Sequence, residues 1–318
     1  MLHLKTTCSS NRCMSQSLVT GGAGFIGSHL VEALLAKGDS VIVIDNLSTG
    51  FKKNLASVAQ SIKFVEGDIL KADLLELLQD VDIVFHLAAI SSVQYSIEKP
   101  TDVLQNNVMT TSKLLEAARI AKVKRFVFIS SAAVYGDAAE LPVHEHGMLK
   151  PLSPYALSKV WGEQLCLHYW EQGLETVSLR LFNVYGPRQN PTSEYSGVIS
   201  KFVAIMREGK QPKIFGDGSQ TRDFVAVQDT VRGIILAAEA PLAAGRTFNI
   251  ATGTSTSILD LVSAINNVLQ TQIAPVHIGP KEGDIKHSLA DIRLATSLLS
   301  HSPALSFLDG LHLLVKQK

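Results

Sequence analysis

The chain has 318 residues, 46% of them hydrophobic, enough for one large or two modest domains with a substantial core. Lysine plus arginine and aspartate plus glutamate each number 29, so no excess charge points to nucleic acid or a membrane surface as partner. No run approaches the roughly 18 apolar residues that a membrane span needs, which excludes a helical membrane anchor of the usual kind. Cys8, Cys13 and Cys166 are odd in number and badly spaced for a disulfide framework, and no His/Cys pair follows Cys8 and Cys13 at zinc spacing. A cytoplasmic protein without a metal is the expectation. The first fourteen residues carry no continuous apolar stretch and read as a disordered extension rather than a secretory signal.

In chain order, short β-branched runs at Ser17–Thr20, Ser40–Asp45, Ile62–Glu66, Ile83–Leu87, Phe126–Ser130 and Thr176–Arg180 read as strands. Amphipathic segments lie between them at Ser28–Lys37, Leu70–Gln79, Val103–Ala121 and Tyr155–Gln172. This alternation predicts an α/β fold, a doubly wound parallel sheet of Rossmann type. Val41–Ile44, apolar throughout, suits a strand covered on both faces. After Asn183 the pattern loosens, with Pro, Gly and Asn clustered in Gly186–Gly197 and Gly209–Gly218 as in pocket-shaping loops. Helices return at Gln228–Ala238 and Ile258–Gln270. Residues 15–182 are therefore expected to form the sheet domain, with part of 225–250 packing back on it. Residues 183–318 are expected to form a smaller, irregular lobe on the carboxyl edge of the sheet.

The turn after the first strand carries chemistry. Gly21, Gly24 and Gly27 satisfy Gly-x-x-Gly-x-x-Gly, and Gly22, Gly24 and Gly27 satisfy Gly-x-Gly-x-x-Gly. Glycines there permit a tight turn, close backbone approach to a pyrophosphate and close helix–strand packing. The following helix start offers free N–H groups to phosphates. A second strand ends at Asp45, eighteen residues after Gly27, where a carboxylate accepts hydrogen bonds from a ribose diol and repels a 2′-phosphate. The cofactor predicted is NAD. Asp68, before Ile69, either holds the adenine amino group or caps the next helix. The small residues of Leu87-Ala88-Ala89 let a cofactor backbone pass closely.

Tyr155 and Lys159 stand four apart in Ser153-Pro154-Tyr155-Ala156-Leu157-Ser158-Lys159. Pro154 suits a first helical turn, and the spacing places both side chains on one helix face. An ammonium beside a phenol favours the phenolate, so Tyr155 is expected to titrate closer to neutrality and act as acid and base.

With these residues in place, the chain resembles the extended short-chain dehydrogenase/reductases and, among them, the nucleotide-sugar 4-epimerases, from about Ser17 to Phe307. The resemblance is carried by the glycine loop, Asp45-Asn46-Leu47-Ser48-Thr49-Gly50, Ser130-Ser131-Ala132-Ala133-Val134-Tyr135-Gly136, the Tyr155/Lys159 array, Arg180 to Gln189, and Gly216 to Phe224. It implies a catalytic set of Ser131, Tyr155 and Lys159. Phe25, Ile26, Asn46, Ser48, Thr49 and Gly50 join the cofactor site, and Asn106 braces the catalytic segment beside it. The implied substrate pocket takes in Ser131, Asn183, Gly197, Val198, Arg222, Lys281, Asp284 and Ser288, with Arg222 on a diphosphate, where its fork matches phosphate oxygens. Alternatively, Arg222 pairs with Asp223 or Asp217, and Asn183 is a buried structural amide. Lys281 stands where relatives usually carry Arg, which weakens bidentate phosphate binding or leaves it to Arg188.

The resemblance also bears on the reaction. Dehydratases and decarboxylases of this type carry an acid between the catalytic Ser/Thr and Val-Tyr-Gly; here Ala132 and Ala133 stand there. That leaves C4 epimerisation of a UDP-hexose through a transient 4-keto sugar, in a homodimer built on the helices at Val103–Ala121 and Tyr155–Gln172. Ser288 occupies the position of a bulky Tyr in strict UDP-glucose epimerases. This implies room for UDP-GlcNAc/UDP-GalNAc as well as UDP-glucose/UDP-galactose, unless Ser288 is small for packing alone. A same-fold dehydratase, decarboxylase or reductase is the alternative enzyme, and a non-catalytic NAD(H)-binding protein the alternative of another class.

Overall fold

The computed structural model describes residues 14–191, 197–280 and 285–316. The first half runs β1 (Gln16–Thr20), α1 (Phe25–Lys37), β2 (Ser40–Asp45), β3 (Ile62–Glu66), α2 (Leu74–Leu77), β4 (Ile83–His86), α3 (Val93–Glu98), α4 (Pro100–Ile120), β5 (Arg125–Ser131), α5 (Pro154–Glu171) and β6 (Glu175–Leu181). The second half runs β7 (Asn183–Tyr185), α6 (Val198–Arg207), β8 (Lys213–Phe215), β9 (Thr221–Arg222), β10 (Phe224–Ala226), α7 (Val227–Glu239), β11 (Arg246–Ile250), β12 (Thr256–Ser257), α8 (Ile258–Leu269), β13 (Val276–Ile278), α9 (Arg293–Leu299) and α10 (Phe307–Lys316).

Seven strands form one parallel sheet in the order β11-β6-β5-β4-β1-β2-β3. Strand order reverses between β1 and β4, so the connections leaving them diverge and open a crevice at their carboxyl ends. Successive side chains of a strand point to opposite faces. Val19, Val43, Val127 and Leu179 therefore meet Leu30, Val31 and Leu34 of α1 and Val231 and Ile234 of α7. Leu18, Ile42, Val84, Phe126 and Phe128 meet Leu114, Leu115 and Ala118 of α4 and Cys166 of α5. Both faces are covered, which is why these strands carry unbroken apolar runs. A separate core of Ile199, Phe202, Val203, Ile258, Leu261, Ile265 and Leu311 holds the smaller lobe together.

Some elements depart from expectation. The helix expected over Leu70–Gln79 shrinks to α2, because two turn-forming aspartates precede it. Asp68 accepts from Leu70 N at 2.9 Å, and Asp73 then caps α2 by accepting from the Leu75 and Glu76 amides. The strand β11 falls outside the expected set; it lies beside β6, on the edge of the sheet. The Gly209–Gly218 stretch contains β8, paired with β13, and lines no part of the cavity described below.

Candidate active site

The turn from β1 to α1 is bare backbone pressed against backbone. Gly21 has φ of 70°, and a Cβ there would lie 2.9 Å from Ala88 N. At Gly27 it would lie 2.3 Å from the Gly21 carbonyl oxygen. Gly24 precedes α1 with no side-chain cap, and no acid occupies the first turn that Phe25 and Ile26 begin. The amides of that turn and the positive end of the helix are thus available to a pyrophosphate.

Asp45 closes β2 with only 8% of its surface exposed. Its two oxygens accept one backbone amide each, Ala23 N at 2.9 Å and Leu47 N at 2.8 Å. Carboxylate oxygens have capacity for more, so a ribose diol is accommodated and a 2′-phosphate is repelled. Asn46, Ser48, Thr49 and Gly50 form the turn beyond it: Ser48 N donates to Asn46 Oδ1, and a Cβ on Gly50 would lie 3.0 Å from Asp45. Asn54, which no motif spacing marks, buttresses the glycine loop by donating to the Ala23 carbonyl at 2.8 Å. Leu87, Ala88 and Ala89 follow β4, and Ala88 N donates to Thr20 Oγ1. Thr20 in turn meets His86 Nδ1 at 2.8 Å, and His86 Nε2 meets Thr111 Oγ1 at 3.0 Å. Burial, helped by the charge of Lys159, holds His86 down to about 3, so the ring is neutral. Glycine cradle, uncapped helix end and buried acid together fit NAD.

The catalytic candidates converge at the end of β5. Ser153 caps α5 by accepting from Ala156 N, and the helix carries Tyr155 and Lys159 to the end of β5. The Ser131 hydroxyl stands close enough to the Tyr155 phenol to favour its phenolate. The Lys159 ammonium donates to the Ile129 carbonyl at 2.7 Å and lies 5.9 Å from the centroid of the Tyr155 ring. The expected drop in the Tyr155 pKa is therefore corrected. Burial pushes the phenol up, and the opposing influence is the Ser131 hydrogen bond, because the ammonium is directed at the strand end and the ring rather than at the phenol oxygen. Burial draws Lys159 itself down to about 8, against the pull of Glu163 and Cys166.

The bracing amide is Asn107, not Asn106. Asn107 is buried, accepts from Ile90 N at 2.8 Å, and donates to Ile90 O and to Ser158 Oγ, each at 3.0 Å. Asn106 is one step round the helix and half-buried. Two adjacent asparagines left the choice to the rotation of α4, which periodicity alone does not resolve.

A cavity of about 180 Å³ opens beside Ser131. Its walls include Ala132, Ala133, Tyr135, Asn183, Arg222 and Ser288. Asn183 is exposed to it rather than buried as a structural amide. Asp223, the suggested ion partner of Arg222, is fully buried and committed elsewhere: it accepts from the amides of Thr252, Gly253 and Ala290 and from the Thr252 hydroxyl. Asp217 accepts from Ser219. Ser288 N donates to Thr221 O at 3.1 Å, so the wall segment runs alongside β9. Gly197 and Val198 sit at the start of α6, outside the lining of this cavity. Lys281 and Asp284 lie outside the described residues.

Residues 17–251 match the model of the NAD dependent epimerase/dehydratase family. The chain belongs to this family. It is 40% identical over 302 residues to a UDP-glucose 4-epimerase of Mycolicibacterium smegmatis, covering 93% of this chain and 96% of that one. Its fold is similar to that of UDP-N-acetylglucosamine 4-epimerase from Methanobrevibacter ruminantium in complex with UDP-N-acetylmuramic acid. There the TM-score is 0.92 at 40% identity, over 95% of this chain and 97% of that one. UDP-glucuronic acid 4-epimerase from Bacillus cereus, in complex with UDP-glucuronic acid and NAD, gives 0.88 at 38% identity, over 94% and 98%.

Proposed function

We propose that this protein is an NAD-dependent UDP-sugar 4-epimerase, an isomerase that inverts C4 of a UDP-hexose through a 4-keto sugar. The observation that carries the reading is Ser131 in the wall of a cavity formed on the same side by the methyl groups of Ala132 and Ala133, with Tyr155 and Lys159 brought to the same strand end. When bound, NAD supplies the acceptor and later the donor of the C4 hydride. The phenolate fraction of Tyr155, which the positive charge of bound NAD would enlarge, takes the C4 hydroxyl proton and returns it, while Ser131 holds the same oxygen in line. Lys159, anchored on Ile129, is placed to hold the nicotinamide ribose. Arg222 and Asn183 retain the nucleotide end while the sugar turns over, since a released keto sugar would end the cycle. Elimination and decarboxylation need a further acid near C5 or C6, and neither alanine provides one.

Ser288 in the cavity wall supports acceptance of 2-acetamido sugars, so UDP-GlcNAc/UDP-GalNAc and UDP-glucose/UDP-galactose are both substrates in this reading. The working form is a homodimer joined through α4 and α5, whose Met109, Trp161 and Leu167 are exposed; a light-scattering mass of one chain would overturn it. The decisive experiment incubates the purified protein, without added NAD, with UDP-GlcNAc, UDP-glucose or UDP-glucuronic acid and resolves the products. C4 epimers of the first two are expected. Loss of water or carbon dioxide instead would assign the chain to another branch of the family. No conversion even with NAD supplied would leave the non-catalytic reading.

A further inference from the structure

Three residues of α5, each four apart, face three consecutive residues of β5. Tyr155 stands beside the Ser131 hydroxyl, and Lys159 donates to the Ile129 carbonyl. One turn further, Glu163 accepts from the Ser130 hydroxyl. Glu163 is 5% exposed, and its other contact is the guanidinium of Arg180 on β6, which donates Nε to Oε1 at 3.0 Å and Nη2 to Oε2 at 2.7 Å. Arg180 uses its remaining nitrogen on the substrate side, donating to the Tyr135 hydroxyl at 2.9 Å and to the Glu145 carbonyl at 2.7 Å. The Tyr135 hydroxyl donates to Asn249 Oδ1, and Asn249 Nδ2 donates to the carbonyls of Val143 and Asp291. A continuous set of buried polar contacts thus runs from the catalytic helix to the cavity wall.

We infer that Glu163 is a positioning residue of the epimerase: it is the third rung of the ladder that presents Ser131, and the buried anion that balances Lys159 and Arg180 behind the reacting tyrosine. The inference rests on the epimerase reading. A surface glutamate on a helix would need neither burial nor a bidentate partner, and a buried anion persists only when fully partnered. The ionisable groups around it are few. Arg180 faces it from β6, Lys159, Tyr155 and Cys166 share α5, His86 approaches Lys159 from β4, and Tyr135 and Glu145 stand on the wall side. Glu163 lends support to the charged form of Lys159. Removing the anion withdraws that support, so the Lys159 ammonium loses its proton at lower pH.

The test is the pH profile of kcat in Glu163→Gln and Glu163→Asp, alongside the pH dependence of NAD retention. Glu163→Gln is expected to move the limbs that Lys159 governs to lower pH by about 1 unit. Its kcat falls about tenfold or more while KM changes far less, as for a group acting at the transition state. Glu163→Asp keeps the charge and should restore the limbs. A folded Glu163→Gln with unmoved limbs would overturn the inference, as would an aspartate variant that shifts equally. Removing one member of a buried pair strands the other charge. Should Glu163→Gln fail to fold for that reason, Ser130→Ala decides: it removes one rung and no charge, and a kcat equal to wild type would sink the ladder. A wild-type protein that converts no UDP-hexose overturns the epimerase reading itself, and the pH dependence of NAD retention still reads the coupling of Glu163 to Lys159.

Discussion

Ser288 carries the specificity argument at the level of a single residue. It lines the cavity with a hydroxymethyl group where a phenol ring would project, and its main chain is fixed to β9. The backbone therefore stays in place whatever the side chain, and a substitution there acts through volume. Ser288→Tyr is expected to lower kcat/KM for UDP-GlcNAc by about 10²-fold or more while sparing UDP-glucose within a few-fold, since excluded bulk is a steric discrimination. Product chromatography on both substrates reads it, and an equal loss on both would mean that the wall is not selective. The helix-face spacing of Tyr155 and Lys159 was readable in the sequence, whereas the direction of the Tyr155 shift was not. That direction depends on where the Lys159 ammonium points, and spacing on a helix says nothing of that.

Among the elements, α5 does the positioning. Its start is specified locally, by the Ser153 cap and Pro154 in the first turn. Its distance from the sheet is set at Gly162, where a Cβ would lie 2.2 Å from the Phe128 ring, the same ring that sits 5.0 Å from the Lys159 ammonium. Gly162→Ala gains about 1 kcal/mol of helix propensity but must push α5 off β5, and overpacking of this kind costs about 1–3 kcal/mol. The expected result is a lowered melting temperature together with a kcat reduced more than NAD retention, because the displaced face carries Tyr155 and Lys159. Unchanged activity in this variant would show that the helix can retreat without disturbing the ladder. The helical stretch at Tyr155–Gln172 was legible from Pro154 at its start and the good helix formers that follow it. The helix expected at Leu70–Gln79 failed because the aspartate turns that shorten it are side-chain hydrogen bonds, invisible to an apolar period.

Across the whole molecule, two buried imidazoles couple stability to pH. His86 lies under the cofactor crevice, and His301 is buried against Gly233 of α7. Burial lowers them from an unfolded value of 6.5 to about 3 and about 4. Folding thus favours the neutral rings: stability is full above pH 6.5 and declines as pH falls from 6.5 towards 4, by up to roughly 1.4 kcal/mol per unit for each ring. Urea midpoints measured from about pH 7.5 to 5 should fall accordingly, and a flat profile across that window would contradict it. What the sequence determined by itself was local or periodic: the strand–glycine–helix turn, the acid ending β2, the Tyr155/Lys159 spacing and the parallel sheet. These are written in neighbouring residues and in repeat patterns, so no long-range information is needed to read them. The tertiary structure alone decided which of Asn106 and Asn107 faces Ile90, that Asp223 serves backbone amides, that β11 extends the sheet, and that Glu163 and Arg180 tie the catalytic helix to the cavity wall. Each of those depends on the rotation of a helix or on partners distant in sequence, and both are fixed only when the chain packs.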